Sequence, residues 1–187
     1  MQEDLDIIFE TLKEENDSAI RHLEKELLSI RAGKASPSIL HNIFIDYYGS
    51  QTPLSQASNI NTPDGRTITV QPWEKNLIPV IEKEIMKANL GLNPTNNGEM
   101  IIINIPPLTE ERRLELVKQA RNEAENAKVS IRNHRQQANH EIKDLQKSGL
   151  SEDFAQDGEA EVQNITNMYI SKVDDHLKRK EEEIMTV

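Results

Sequence analysis

The sequence predicts an α+β fold: an elongated three-helix bundle with a small β/α/β domain inserted on a two-stranded hinge. Three observations predict it. Apolar residues recur at helical spacing before residue 31 and again beyond residue 108. The stretch between them is rich in strand formers, glycine and proline. Finally, 36% of the 187 residues are hydrophobic and 29% charged, which leaves much of the chain exposed rather than gathered round one large core.

Residues 4–30 read as the first helix. Leu5, Ile8, Leu12, Ala19, Leu23, Leu27 and Ile30 are spaced by three, four or seven and share one face. Ala32-Gly33 and Ser36-Pro37 then oppose continuation. Ile43 to Tyr48 is a strand candidate that stops at Gly49. Thr62-Pro63-Asp64-Gly65 is a turn signal, and Arg66 to Val70 alternates polar and apolar residues until Pro72 closes the strand. Glu74 to Asn89 reads as a short helix with Leu77, Ile78, Ile81 and Ile85 on one side. Gly91 and Pro94 follow it, and Met100 to Ile105 forms a last strand.

Pro106-Pro107 breaks the chain. Thr109 is a candidate N-cap for a second long helix, with Glu110 and Glu111 in its first turn, where the helix dipole favours anions. That helix reaches Lys147 and stops at Gly149. Ser151 caps a third helix, whose inner face carries Phe154, Val162, Ile165, Tyr169, Val173, His176 and Ile184; Gly158 weakens its first turns. Three helices, each apolar on one side, bury one another's stripes as a bundle. The bundle domain is thus 1–30 with 106–187, and the inserted domain is 31–105. Two strands of chain join them, placing a hinge at Ala32, Gly33, Asn104, Ile105, Pro106 and Pro107.

Composition excludes several classes. There is no cysteine, hence no disulfide, thiolate metal site or thiol nucleophile. No apolar run approaches the roughly 20 residues of a membrane-spanning helix. The first ten residues carry four acidic and no basic side chains, unlike a secretory signal, so a cytoplasmic setting is expected. Net charge is −10 but unevenly spread. Residues 1–30 hold nine acidic against three basic side chains, and 148–187 hold ten against four. Only 105–147 is net positive, with nine basic against seven acidic.

No catalytic constellation is visible. His22, His41, His134, His140 and His176 form no metal-binding pair, the acidic clusters read as solvated faces, and Gly91 to Gly98 lacks the Lys-Ser or Lys-Thr of a phosphate loop. Neither enzyme activity nor a cofactor nor a metal is expected. The candidate site is a basic stripe: Lys118, Arg121, Lys128, Arg132, Arg135 and Lys143 fall within about a 100° arc of the second long helix. Ala120, Ala124, Ala127, Ile131, Ala138 and Ile142 occupy the neighbouring arc, so the stripe stays exposed when the apolar face packs, with only Glu125 interrupting it. Such a ladder matches the spaced phosphates of nucleic acid. The alternative, a solvated face paired with the acidic first and third helices, stays open on charge pattern alone.

Particular segments carry a family resemblance along residues 4–187. Ile30 to Pro37, reading Ile-Arg-Ala-Gly-Lys-Ala-Ser-Pro, is similar to the Arg-Thr-Gly-Arg-Ala-Ser-Pro segment of bacterial ribosome recycling factors. Tyr47-Tyr48-Gly49, Thr52-Pro53-Leu54, Leu90 to Pro94, Pro106 to Arg113, Val129 to Arg135 and Ser151-Glu152-Asp153 follow in the family's order. The resemblance implies a three-helix bundle that lies on large-subunit ribosomal RNA and a smaller domain on a hinge. It implies a monomeric, non-enzymatic factor that binds the post-termination ribosome. With elongation factor G, which hydrolyses GTP, such a factor splits the subunits and frees messenger RNA and deacylated tRNA. On this basis Arg132 and Arg135 are the strongest RNA contacts, Arg31 and Lys34 match two family arginines, and Lys128 and Arg121 are added from the stripe. Lys34 stands where the family has Arg, Ala32 where it has Thr, and Gln136 where it has Arg; Lys keeps charge but loses the planar fork. A reading of a different class is a helical scaffold that binds other proteins through leftover apolar seams.

Overall fold

The computed structural model describes residues 2–30 and 32–186. In chain order it forms α1 (Gln2–Ser29), a 3-10 turn at Pro37–Leu40, β1 (Phe44–Tyr47), β2 (Ser50–Pro53) and the single-turn α2 (Leu54–Ala57). β3 (Ser58–Asp64), β4 (Thr67–Pro72), a 3-10 turn at Lys75–Leu77, α3 (Ile78–Lys87), β5 (Pro94–Asn96) and β6 (Ile101–Asn104) follow. The chain ends in α4 (Glu110–Lys147) and α5 (Glu152–Met185). It divides into two compact units, Met1–Ala32 with Glu110–Val187, and Gly33–Thr109.

The first unit is the bundle, in which α1, α4 and α5 pack pairwise. Leu12 and Leu23 of α1, Ile131 and Ile142 of α4, and Val162 and Val173 of α5 are buried. Much of the buried face of α4 is alanine, at 120, 124, 127 and 138. Short side chains at the contact shorten the distance between helix axes. Between α4 and α5 the chain turns through Gly149 at φ 115°, and Ser151 caps α5 by accepting the Phe154 amide on its Oγ.

Three details of the bundle differ from the periodicity. Phe154 is 51% exposed, because the inward face of α5 begins one residue later, at Ala155, and continues through Gly158. His176 is half-buried at the rim, its Nε2 3.3 Å from Glu24 Oε1. Between Leu12 and Leu23 of α1 the buried positions are Asn16 and Ile20, with Ala19 half-buried beside them. Asn16 is polar and so carries no mark in the apolar periodicity of α1.

Asn16 belongs to a polar layer at mid-bundle. It is fully buried, and its Oδ1 lies 2.9 Å from His134 Nδ1 of α4. Nearby on α5 the buried Tyr169 hydroxyl reaches Asp17 Oδ1 at 2.7 Å and the Lys13 carbonyl at 3.2 Å. Burial first, then the bond to the Asp17 carboxylate, pushes the phenol up to about 12. The folded state therefore holds the Tyr169 proton more tightly than the unfolded chain, whose phenol titrates near 10. This contribution to stability is complete below pH 10 and is lost as pH rises through about 12. Tyr169→Phe should cost about 1–2 kcal/mol at neutral pH and flatten the alkaline fall in denaturant midpoint between about pH 10 and 12. An equally steep fall in the variant would assign it to other groups.

The second unit is built on a four-stranded antiparallel sheet in the order β3-β4-β6-β5. Ile68 and Val70 of β4 and Ile101 and Ile103 of β6 are fully buried beneath Ile78, Ile81 and Ile85 of α3. β1 and β2 form a separate hairpin through Tyr48 and Gly49, both at positive φ, and it contributes the buried Ile45.

The expected β/α/β module is thus richer than the strand signals suggested: β2, β3 and β5 join the three strands that were legible. β3 and β5 are the sheet's edges, which is where Pro63 and Pro94 are tolerated. The turn expected at 62–65 lies at Gly65-Arg66, because β3 continues through Asp64 after a register shift between Asn61 and Asp64. Asp64 Oδ1 accepts the Arg66 amide at 2.8 Å, a bond that holds its carboxyl below the usual range. The helix expected over 74–89 is α3 alone, preceded by the 3-10 turn.

Candidate nucleic-acid interface

Of the six stripe residues on α4, Lys118, Arg121, Arg132 and Lys143 are exposed, Arg135 is half-buried, and Lys128 retains 20% side-chain exposure. The apolar arc beside them is buried throughout. The prediction that the whole stripe stays solvated is therefore corrected: its edge nearest the apolar arc is drawn into the seam with α5.

At that seam the cations have partners. Arg121 Nε lies 2.5 Å from Glu181 Oε1, and Lys128 Nζ lies 2.5 Å from Asp174 Oδ1. Arg135 Nη1 donates instead to a neutral acceptor, Gln163 Oε1, at 3.2 Å. Arg132 is paired along its own helix with Glu125 at 3.0 Å. Lys118 and Lys143 make no ion pair among the described residues. The pairing with α5 that the sequence left open as the alternative is present at Arg121 and Lys128.

Other expected site residues lie elsewhere. Lys34 is exposed in the second unit, just after Gly33. Arg31 lies outside the described residues. Gly33 sits at φ 73°, and a Cβ there would approach Leu108 Cγ to 2.9 Å, so both the backbone angle and the packing call for glycine. Asn104 ends β6, and the Ile105 amide donates to the Arg66 carbonyl at 2.7 Å, so both are built into the second unit. Pro106 and Pro107 are exposed and lie in no helix or strand.

Among the described residues no group of His, Asp or Glu is placed to hold a metal, and no helix is long and apolar enough to cross a membrane. The exposed apolar side chains of the bundle, among them Ile7, Leu28, Leu114 and Val129, are scattered rather than aligned as a seam.

A three-helix bundle with a separate antiparallel sheet unit, and with Lys and Arg gathered along one edge of the longest helix, defines an α+β protein. Residues 23–185 match the family described as ribosome recycling factor. The chain is 59% identical to the ribosome-recycling factor of Flavobacterium johnsoniae over the full length of both, and 52% identical to that of Porphyromonas gingivalis over 91% of this chain and 92% of the relative. Among solved structures it is similar to a solution structure of the ribosome recycling factor, with TM-score 0.75, 36% identity and 98% of each chain covered. It is also similar to a chain in models for the T. thermophilus ribosome recycling factor and the E. coli elongation factor G bound to the E. coli post-termination complex. There the TM-score is 0.62 at 41% identity, covering 97% of this chain and 98% of that one. The chain belongs to the ribosome recycling factor family.

Proposed function

We propose that this protein binds the post-termination ribosome and, together with elongation factor G, promotes its separation into subunits with release of messenger RNA and deacylated tRNA. It does so as a cytoplasmic monomer without catalytic chemistry of its own, GTP being hydrolysed by the partner. The observation that carries the reading is the cationic edge of α4, where Arg132, Arg135, Lys128 and Arg121 stand within one helical arc. Anchoring falls to these residues through ribosomal-RNA phosphates of the large subunit, with Arg31 and Lys34 contributing. Movement falls to the crossings between the units, around Ala32-Gly33 and Pro106-Pro107, so that force applied to the second unit is carried to an anchored bundle.

Co-sedimentation with purified large ribosomal subunits tests this. Wild-type protein should bind at low salt and bind progressively less as salt rises, because neutralised phosphates release counterions. Arg135→Ala should weaken binding about tenfold, as expected for removal of one charge-assisted hydrogen bond. Its thermal unfolding should hardly change, because the side chain gives up only a bond to a surface glutamine. A flat salt response would point to protein contacts instead, and unaltered affinity would remove Arg135 from the site.

A further inference from the structure

The α4–α5 seam is a ladder whose rungs differ in charge. Arg121, Lys128 and Arg135 recur every seven residues on α4, and α5, running antiparallel, meets them with Glu181, Asp174 and Gln163. Gln163 in turn donates its Nε2 to Asn167 Oδ1 at 2.8 Å. Asn167 stands seven residues before Asp174, as Asp174 stands seven before Glu181. At the third rung, then, α5 supplies amides where the first two rungs supply carboxylates. Arg121 and Lys128 are electrically compensated, and Arg135 keeps its full charge.

Nothing in bundle packing requires this difference. Asp174, Gln163 and Asn167 are exposed and Glu181 lies at the rim, and ion pairs with one partner open to solvent contribute little to stability. Their effect on an approaching phosphate is another matter. A phosphate reaching Arg121 or Lys128 must displace a carboxylate already in place and then remain beside it, within a Debye length of its charge. A phosphate reaching Arg135 displaces a neutral amide. Glu125 acts on Arg132 in the same sense from within α4.

We propose that Asp174 and Glu181 are attenuating residues. They hold two of the RNA-facing cations in reserve and set the affinity of the bundle below what its basic edge could reach, while the amide rung at Gln163 and Asn167 fixes Arg135 as the point of firm attachment. This rests on the RNA-binding reading above. A factor that acts in cycles must leave the subunit it has helped to free, and a seam that supplies its own competing anions shortens its stay.

The test changes the seam's charge in both directions. Asp174→Asn/Glu181→Gln should tighten binding to purified large subunits by up to about fivefold per rung at low salt, slow dissociation, and lose that advantage as salt rises. Gln163→Glu, which places a carboxylate at the third rung, should weaken binding by a similar factor. Residues serving only to pair the helices would give the opposite result in the first variant, since breaking the pairs loosens the face. Unchanged or weaker binding by a folded Asp174→Asn/Glu181→Gln protein overturns the proposal. Should that variant fail to fold, the Gln163→Glu arm decides alone, and undiminished affinity there overturns it equally. Failure of the wild type to bind, or full binding by Arg135→Ala, would instead overturn the RNA-binding reading itself.

Discussion

Gly158→Leu is expected to lower the stability of the bundle by about 2–3 kcal/mol, the upper part of the range for an overpacked core. Gly158 lies on α5 where that helix meets both others. An added Cβ would stand 3.2 Å from Leu5 Cδ2 of α1 and 3.3 Å from Ile142 Cδ1 of α4. One methyl group asks two flexible side-chain ends to yield a few tenths of an ångström, and relief of helical glycine's entropic cost offsets about 1 kcal/mol of that. Gly158→Ala should therefore change stability little. Three further carbons have nowhere to go but into the contact with α1 and α4. The chain supplies its own control, because its one tryptophan, Trp73, lies in the second unit. Helical circular dichroism should show the bundle of Gly158→Leu melting about 10 °C earlier. Trp73 fluorescence should report a sheet unit whose own packing is untouched. An unchanged helical melt would mean that the three helices do not approach so closely at this level.

Gly158 also shows where sequence reading stops. Read along one helix it is a weak helix former, a defect in the first turns of α5. Only the approach of α1 and α4 makes it a requirement, and that approach is a tertiary fact with no local signal. The same division runs through the molecule. The three long helices are legible because their stripes repeat over many turns, and their limits fall within two residues of the expected ones. The sheet is half legible. β4 and β6 carry buried isoleucine and valine in alternation, whereas β3 and β5 are largely polar edge strands containing proline, which reads as turn. Phe154 misleads because an aromatic residue in the first turn of α5 looks like core, yet it precedes the inward face by one position. Asn16 is missed for the converse reason, a polar residue wholly buried against His134. As for the site, the basic arc of α4 is visible at 100° per residue, but its partners are not. That Arg121 and Lys128 meet carboxylates while Arg135 meets an amide depends on the register of α4 against α5, which periodicity leaves undetermined.

That register shapes the largest functional effect expected. Arg132→Ala/Arg135→Ala should reduce affinity for large ribosomal subunits on the order of a hundredfold at low salt, from two charge-assisted bonds to phosphate at about 1.5 kcal/mol each. The salt dependence should also flatten by about one unit of slope for each phosphate that is no longer neutralised. The two positions should not contribute equally. Arg135 leaves behind the neutral Gln163 when truncated. Arg132 leaves behind Glu125, whose carboxylate is then unpaired on the surface proposed to meet phosphate. Glu125 already opposes phosphate beside Arg132 in the wild type, so Arg135→Ala, which removes the cation that meets no carboxylate, should be the more damaging single change. Adding Glu125→Gln to it should restore part of the affinity, because Arg132 is then released from its competing carboxylate. A double variant that weakens by no more than twofold, with its salt slope intact, would move the RNA interface off this edge of α4 altogether. A double variant with the full reduction, but no recovery on adding Glu125→Gln to Arg135→Ala, would keep the edge and dismiss the part assigned to Glu125.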